Sequence, residues 1–150
     1  MDNNYLSDNN ISVLIADDEE GVRDIIKEYL KQTYENLIIA GEATNGKEAL
    51  ELHKKLKPTI ILLDMQMPLC DGKTALQKIL LYNPKAKIIV MTCSENLENI
   101  INFVKAGYCN YLAKPFYHKE LIQVIKETIK GGNKELIYKR LEKKLKEISQ

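Results

Sequence analysis

Between Pro58 and Pro68 runs Thr59-Ile60-Ile61-Leu62-Leu63-Asp64-Met65-Gln66-Met67, four consecutive large aliphatic residues leading into one carboxylate. An unbroken apolar run of this length, bounded by prolines, is the pattern of a strand buried on both faces. Such strands belong to parallel sheets covered by helices. Ligands of these sheets bind beyond the carboxyl ends of the strands, where Asp64 is expected to stand. Taken alone, this stretch leaves a second reading open, in which Asp64 merely caps a loop.

The rest of the chain repeats the theme. Ile11 to Ala16 is an apolar run ending in Asp17-Asp18-Glu19-Glu20, and Val22, Ile25, Ile26, Tyr29 and Leu30 then recur at the spacing of one helix face. Leu37 to Ala40 reads as a short strand closed by Gly41. Gly46 to Leu56 reads as a helix with Ala49, Leu50, His53 and Leu56 on one side, His53 being a half-buried surface residue rather than a ligand. Asp71-Gly72 is a loop, and Lys73 to Leu81 a helix. Lys87 to Met91 is a fourth strand ending at Thr92-Cys93-Ser94, and Glu95 to Lys105 a helix stopped by Gly107. Tyr111-Leu112-Ala113 is a fifth strand followed by Lys114-Pro115-Phe116, and Lys119 to Lys130 a last helix before Gly131-Gly132. Five strands alternating with five helices predict an α/β, doubly wound five-stranded parallel sheet flanked by five helices.

Bulk properties fit one domain of this kind. The 150 residues are 45% hydrophobic and 29% charged, with a formal net charge of +1. That balance gives no reason to expect nucleic acid or a membrane as a partner. No apolar run approaches the roughly 18 residues of a membrane span. The polar start lacks the pattern of a signal peptide. Cys70, Cys93 and Cys109 form no CxxC pair, which fits a reducing, cytoplasmic setting. Cys93 reads as a small core hydrophobe and Cys70 as a loop residue.

In a parallel sheet the strand ends meet on one rim, which gathers Asp17, Asp18, Asp64, Thr92 and Lys114. Crowded carboxylates resist ionisation unless a cation neutralises them. Hard oxygen ligands with open positions suit Mg²⁺, which favours phosphate as a co-ligand. A hydroxyl and an ammonium complete a cradle for a phosphoryl group, and Asp64 is placed to be its nucleophile.

These residues resemble the receiver domain of two-component response regulators, of the chemotaxis-regulator kind, over about Ile11 to Lys130. The resemblance rests on Asp17-Asp18, on Asp64 with Met67-Pro68 and Asp71-Gly72 behind it, on Thr92, and on Lys114-Pro115-Phe116. It implies a flavodoxin-like receiver fold and a phosphoacceptor switch rather than an enzyme acting on other substrates. Asp64 would take a phosphoryl group from a phosphohistidine on a histidine kinase or histidine phosphotransfer protein. Asp18, Asp64 and the backbone carbonyl of Gln66 would ligate Mg²⁺, with Asp17 acting through water. Lys114, joined to Pro115 by a cis bond, would pair with the phosphoryl oxygens. Thr92 would move toward that group and Tyr111 would turn inward behind it, reshaping the face built by the fourth helix, fifth strand and fifth helix for a downstream protein or output domain. The implied organisation is a disordered arm over 1–10, a receiver domain over 11–130, and a linker with an amphipathic helix over 131–150.

Two departures stand out. Cys93 is larger than the residue the family usually carries after the switch hydroxyl, which is expected to narrow access for small donors. Gln66 and Ser94, at positions that tune phosphoryl lifetime, are both uncharged. Two rival readings fit less well. A flavodoxin-like cofactor binder needs backbone donors in its first loop, where Asp17 to Glu20 would repel a phosphate. An aspartate-nucleophile phosphatase wants a carboxylate two residues beyond the nucleophile, where Gln66 stands.

The tail, Lys134 to Ile148, carries six basic residues against three acidic ones. Tyr138, Leu141, Leu145 and Ile148 recur at coiled-coil intervals, but a helix this short is marginal alone. It needs a surface: its own domain, a second copy, or an output module. The expectation is extension past Gly131-Gly132 and pairing with another chain as a homodimer.

Overall fold

The computed structural model describes residues 10–33 and 37–149. The expected disordered arm, apart from Asn10, falls outside the described residues. Strands β1 (Ile11–Ala16), β2 (Leu37–Ala43), β3 (Ile60–Asp64), β4 (Ile88–Cys93) and β5 (Asn110–Lys114) form one sheet in the order β2-β1-β3-β4-β5. All four pairings are parallel. The connecting helices are α1 (Glu20–Lys31), α2 (Gly46–Leu56), α3 (Gly72–Tyr82), α4 (Ile101–Lys105, led in by a 3₁₀ segment Ser94–Ile100) and α5 (His118–Ile129). A sixth helix, α6 (Lys134–Ile148), ends the chain.

The apolar run at the centre behaves as its composition dictates. Ile60 to Asp64 is buried throughout, and its side chains alternate between two cores. Ile61 and Leu63 join Leu14, Val90, Ala75, Leu76 and Val104 on one face. Ile60 and Leu62 join Val13, Ile15, Ile26, Met91 and Ile125 on the other. The helices start where side chains can accept from free backbone N–H groups. The Glu48 amide donates to Asn45 Oδ1 at the start of α2, and the Thr74 amide donates to Asp71 Oδ1 at the start of α3, each at 2.8 Å.

Four local expectations change. Strand β2 does not stop at Gly41 but runs on to Ala43. Ala40 is an extra residue between the Val13–Ile39 and Leu14–Gly41 pairs, so the strand bulges and continues. A Cβ at position 41 would lie 2.9 Å from Leu56 Cδ1, so the glycine lets α2 approach the strand rather than ending it. The segment after Thr92 is not one helix from Glu95, since its first half is 3₁₀. Strand β4 also runs on through Thr92 and Cys93, which places the hydroxyl inside the ladder. His53 is 4% exposed, buried rather than half-buried, with its ring edge-on to Tyr82.

The tail departs most. Helix α6 neither continues α5 nor stands free. Gly131 and Gly132 both have positive φ (94° and 55°), and the chain folds back to seat α6 on its own domain. Its buried residues are Ile137 and Leu141, with Tyr138 and Leu145 packed partly against the same core. Ile148, expected on the seam, is 45% exposed. Helix α6 packs chiefly on α4 and on the 3₁₀ segment before it, beside the edge strand β5.

Candidate functional site

Register brings the predicted rim together. Ala16 pairs with Leu63, Asp64 with Met91, and Cys93 with Lys114, so the residues at these strand ends face one loop-lined edge. Asp17 leaves β1 with its amide donating to Ala43 O at 3.0 Å. Its side chain turns back to accept from the Glu19 amide at 2.9 Å. Arg23 Nη1 donates to Asp17 O at 2.8 Å and Arg23 Nε donates to Glu42 at 3.0 Å, clamping this turn between α1 and β2.

Asp64 is held from behind by its own loop. The amide of Met65 donates to Met91 O and that of Gly72 to Met65 O, both at 3.0 Å. A Cβ at position 72 would fall 2.2 Å from Asp64 O, a distance no side chain tolerates. The Asp71-Gly72 pair is therefore structural. Its aspartate caps α3, and its glycine lets the helix start press against the strand end that carries Asp64.

One ammonium links the two buried carboxylates. Lys114 Nζ donates to Asp17 Oδ2 at 2.7 Å and lies 3.4 Å from Asp64 Oδ1. The Gln66 amide also donates to Asp64 Oδ1, at 3.3 Å. Burial pushes the Asp64 carboxyl up to about 6; the Lys114 charge pulls it down and the Asp17 charge pushes it further up. For Lys114, burial opposes the charged form. The hydrogen bond to Asp17 and the charges of Asp64 and Asp17 outweigh it, so the ammonium is held above its ordinary value. Both partners shift upward because Lys114 gives its short contact to Asp17 and only a longer one to Asp64. Burial, more than mutual repulsion, is thus what raises Asp64.

One group of carboxylates on the rim is close enough to share a cation. Among the described residues, carboxylate oxygens of Asp17, Asp18 and Glu19 lie within 4.8 Å of one another, while Asp64 stands outside that group, across Lys114. Glu19 was not singled out from the sequence, although it lies in the same acidic run. Gln66 lines a cleft of about 260 Å³ with Met65, Asp71, Lys73, Asn96 and Asn99, next to this rim.

Thr92 sits at the next strand end. Its hydroxyl is buried and has no hydrogen-bond partner among the described residues. Tyr111 lies diagonally across the ladder, since Val90 pairs with Tyr111 and Thr92 with Ala113. Val90 and Tyr111 belong to one core cluster, on the face where Ile137 and Leu141 of α6 also pack. The Tyr111 ring is capped by Arg140, whose Cζ lies 5.8 Å from the ring centroid. The Lys114–Pro115 bond is cis, as the resemblance implies. Cys93 is half-buried, its sulfur accepting from Asn96 Nδ2 at 3.1 Å. Cys70 is half-buried in the loop after β3, and burial pushes the Cys109 thiol up to about 12, which makes it inert.

Sequence reasoning missed a polar chain on the far side of β5. Arg140 makes a two-pronged contact with Glu127, at 2.7 and 3.0 Å, and Asn110 Nδ2 donates to the same carboxylate at 2.8 Å. Arg140 holds the Glu127 carboxyl below its ordinary value, against burial and with help from Asn110. No local signal announces this set, because it exists only once α6 folds back.

The family model of the response regulator receiver domain matches residues 13–126. The chemotaxis protein CheY of Thermotoga maritima is 38% identical over 119 residues, covering 79% of this chain and 97% of the relative. Protein CcdB of Bacillus subtilis is 34% identical over 117 residues, covering 78% of this chain and 96% of the relative. Among solved structures, the isolated receiver domain of RcsB from Salmonella enterica, determined in the presence of the phosphomimetic BeF3⁻, superposes with a TM-score of 0.74. It is 26% identical and covers 83% of this chain and 92% of that one.

Proposed function

This chain belongs to the response regulator receiver domain family, and from that premise we propose that it is a phosphoryl-accepting switch in which Asp64 is the acceptor. A carboxylate oxygen of Asp64 attacks the phosphorus of a phosphohistidine on a histidine kinase or phosphotransfer protein. The P–O bond forms as the P–N bond breaks, and the imidazole nitrogen leaves with the electron pair and takes a proton from solvent. The observation that carries this reading is the buried Thr92 hydroxyl without a partner among the described residues, at the same rim where Lys114 gathers Asp17 and Asp64. A buried polar atom left unpaired is costly, and a phosphoryl oxygen on Asp64 is an acceptor that would satisfy it.

The donor set fits Mg²⁺. Asp17, Asp18 and Glu19 offer clustered hard oxygens, and Asp64 lies across Lys114 from Asp17 on the same rim. We assign Asp18, Asp64 and the Gln66 carbonyl as direct ligands and Asp17 as a water-mediated one. When bound, the cation supplies charge neutralisation for the phosphoryl oxygens. The protein's own residues do the rest. Lys114 shifts part of its charge from Asp17 to the incoming oxygens, and the fixed loop keeps Asp64 aimed at the rim. Asp64 is the nucleophile only when ionised; burial opposes that form, and the Lys114 charge favours it, as a bound cation would. The switched surface is the one formed by α4, β5 and α5, and a downstream protein or output domain reads it.

Beryllofluoride in Mg²⁺ buffer tests this without a kinase. A bound ¹⁹F signal is expected for the native chain, lost on Asp64→Asn and weakened on Thr92→Ala. A signal that survives Asp64→Asn would overturn the assignment.

A further inference from the structure

Helix α6 occupies the surface that a receiver would offer to its target. Ile137 and Leu141 enter the core cluster that contains Leu97, Ile100, Val104 and Tyr111. Arg140 stacks on the Tyr111 ring and grips Glu127 of α5, and Lys105 of α4 lies 5.4 Å from the Tyr138 ring centroid. One helix thus touches α4, β5 and α5 together. Resting on the function proposed above, we propose that α6 is an intramolecular ligand of this face and that phosphorylation of Asp64 releases it through Tyr111.

Three features make the helix displaceable. Its tether is the Gly131-Gly132 pair, both at positive φ, so α6 can leave without unwinding α5. Its buried apolar face is small: Ile137 and Leu141 are buried, Tyr138 and Leu145 pack only partly, and Leu136 is 62% exposed. Between α5 and α6 an open groove of about 400 Å³ runs over Tyr111, Leu112 and Ala113. Helix α6 therefore lies along β5 without closing over it.

The coupling is local. Tyr111 is a wall of the α6 seat and a diagonal neighbour of Thr92 on the same face of the ladder. When Thr92 moves toward a phosphoryl oxygen and Tyr111 follows, the ring leaves Arg140 and the floor beneath Ile137 and Leu141 changes. The two events then share one free energy, and each must bias the other by the same factor. The freed helix carries six basic residues against three acidic ones beside a newly bared apolar strip. That would couple output to helix release.

The test uses the full chain. Amide exchange of 134–148 is measured in Mg²⁺ with and without beryllofluoride, with occupancy read from the bound ¹⁹F signal. Exchange in α6 is expected to quicken about tenfold at saturation, while α1 is unchanged. Arg140→Ala, which leaves Asp64 and its rim untouched, is expected to tighten beryllofluoride binding several-fold, by the factor that it loosens α6. Unchanged or slower α6 exchange at full occupancy overturns the latch and leaves the phosphoacceptor reading standing. Absence of any bound ¹⁹F signal overturns that reading, and the latch with it.

Discussion

Helices α5 and α6 are neighbours across two glycines, yet they are held in opposite ways. Helix α5 has 12 residues and buries Leu121, Ile122, Ile125 and Ile129. Helix α6 has 15 residues and buries only Ile137 and Leu141. The longer helix buries the smaller apolar face and adds to it a partly exposed arginine–glutamate pair. Stability follows the buried face and not the length, because helix propensity alone barely sustains a segment this short. The chemistry at the rim hangs on strand ends that cannot move far, whereas the face beside it is covered by an element that can.

Core truncation should expose that difference most strongly. Ile125→Ala is expected to lower global stability by about 2–5 kcal/mol, as for other fully buried aliphatics. Leu141 is just as buried, but its loss cannot exceed the free energy with which α6 docks. Leu141→Ala and the harsher Leu141→Asp should therefore both cost under about 2 kcal/mol and differ little, since the helix simply leaves. Urea denaturation of the three variants decides. A Leu141→Asp loss as large as that of Ile125→Ala would mean that α6 is part of the cooperative core.

The rim comes next. Lys114→Met strands Asp17 and Asp64 in a buried place, at a cost of about 2–3 kcal/mol at pH 7.5 that shrinks toward pH 5 as Asp64 protonates. Thermal melts at the two pH values check it.

Asp64 itself should act in the reverse sense. Its folded value of about 6 lies above the ordinary carboxylate value of 3.8. The native state therefore binds the extra proton between those limits, and stability is lost as pH rises through them. In chelator, Asp64→Asn should be more stable than the native chain by on the order of 2 kcal/mol above pH 7. The gap should close toward pH 4. A constant gap across that range would remove burial of the charge as its cause.

The smallest effect belongs to the arginine on the lid. Arg140 is partly exposed, so Arg140→Ala should cost no more than about 1 kcal/mol of global stability, while loosening α6 locally. A much larger loss would contradict a lightly held helix.

Most of the scaffold is legible in the chain because it rests on short-range patterns. Ile60 to Leu63 reads as a doubly covered strand, and the acidic and hydroxyl residues that end the apolar runs meet on one rim once the sheet is parallel. Details that depend on a partner element are not legible. Gly41 looks like a strand end until Leu56 is seen packing over it, and His53 looks half-exposed until Tyr82 covers it. The heptad-like spacing in the tail points to Ile148, whereas the fold-back turns Ile137 inward. Glu127, Asn110 and Arg140 lie on three different elements, so no spacing rule could have joined them. Lys114 reads as a phosphoryl partner, but its hold on Asp17 follows only from three-dimensional distance.

The central claim is that Asp64 alone accepts the phosphoryl group, and reductive trapping tests it most directly. The chain is incubated with a phosphohistidine donor kinase and Mg²⁺, treated with borohydride, and mapped by peptide mass spectrometry. Reduction is expected at Asp64 only, with none at Asp17, Asp18 or Asp71, and with no label after Asp64→Asn. A label that resists acid and base, that maps to His53 or His118, or that survives Asp64→Asn would contradict the assignment.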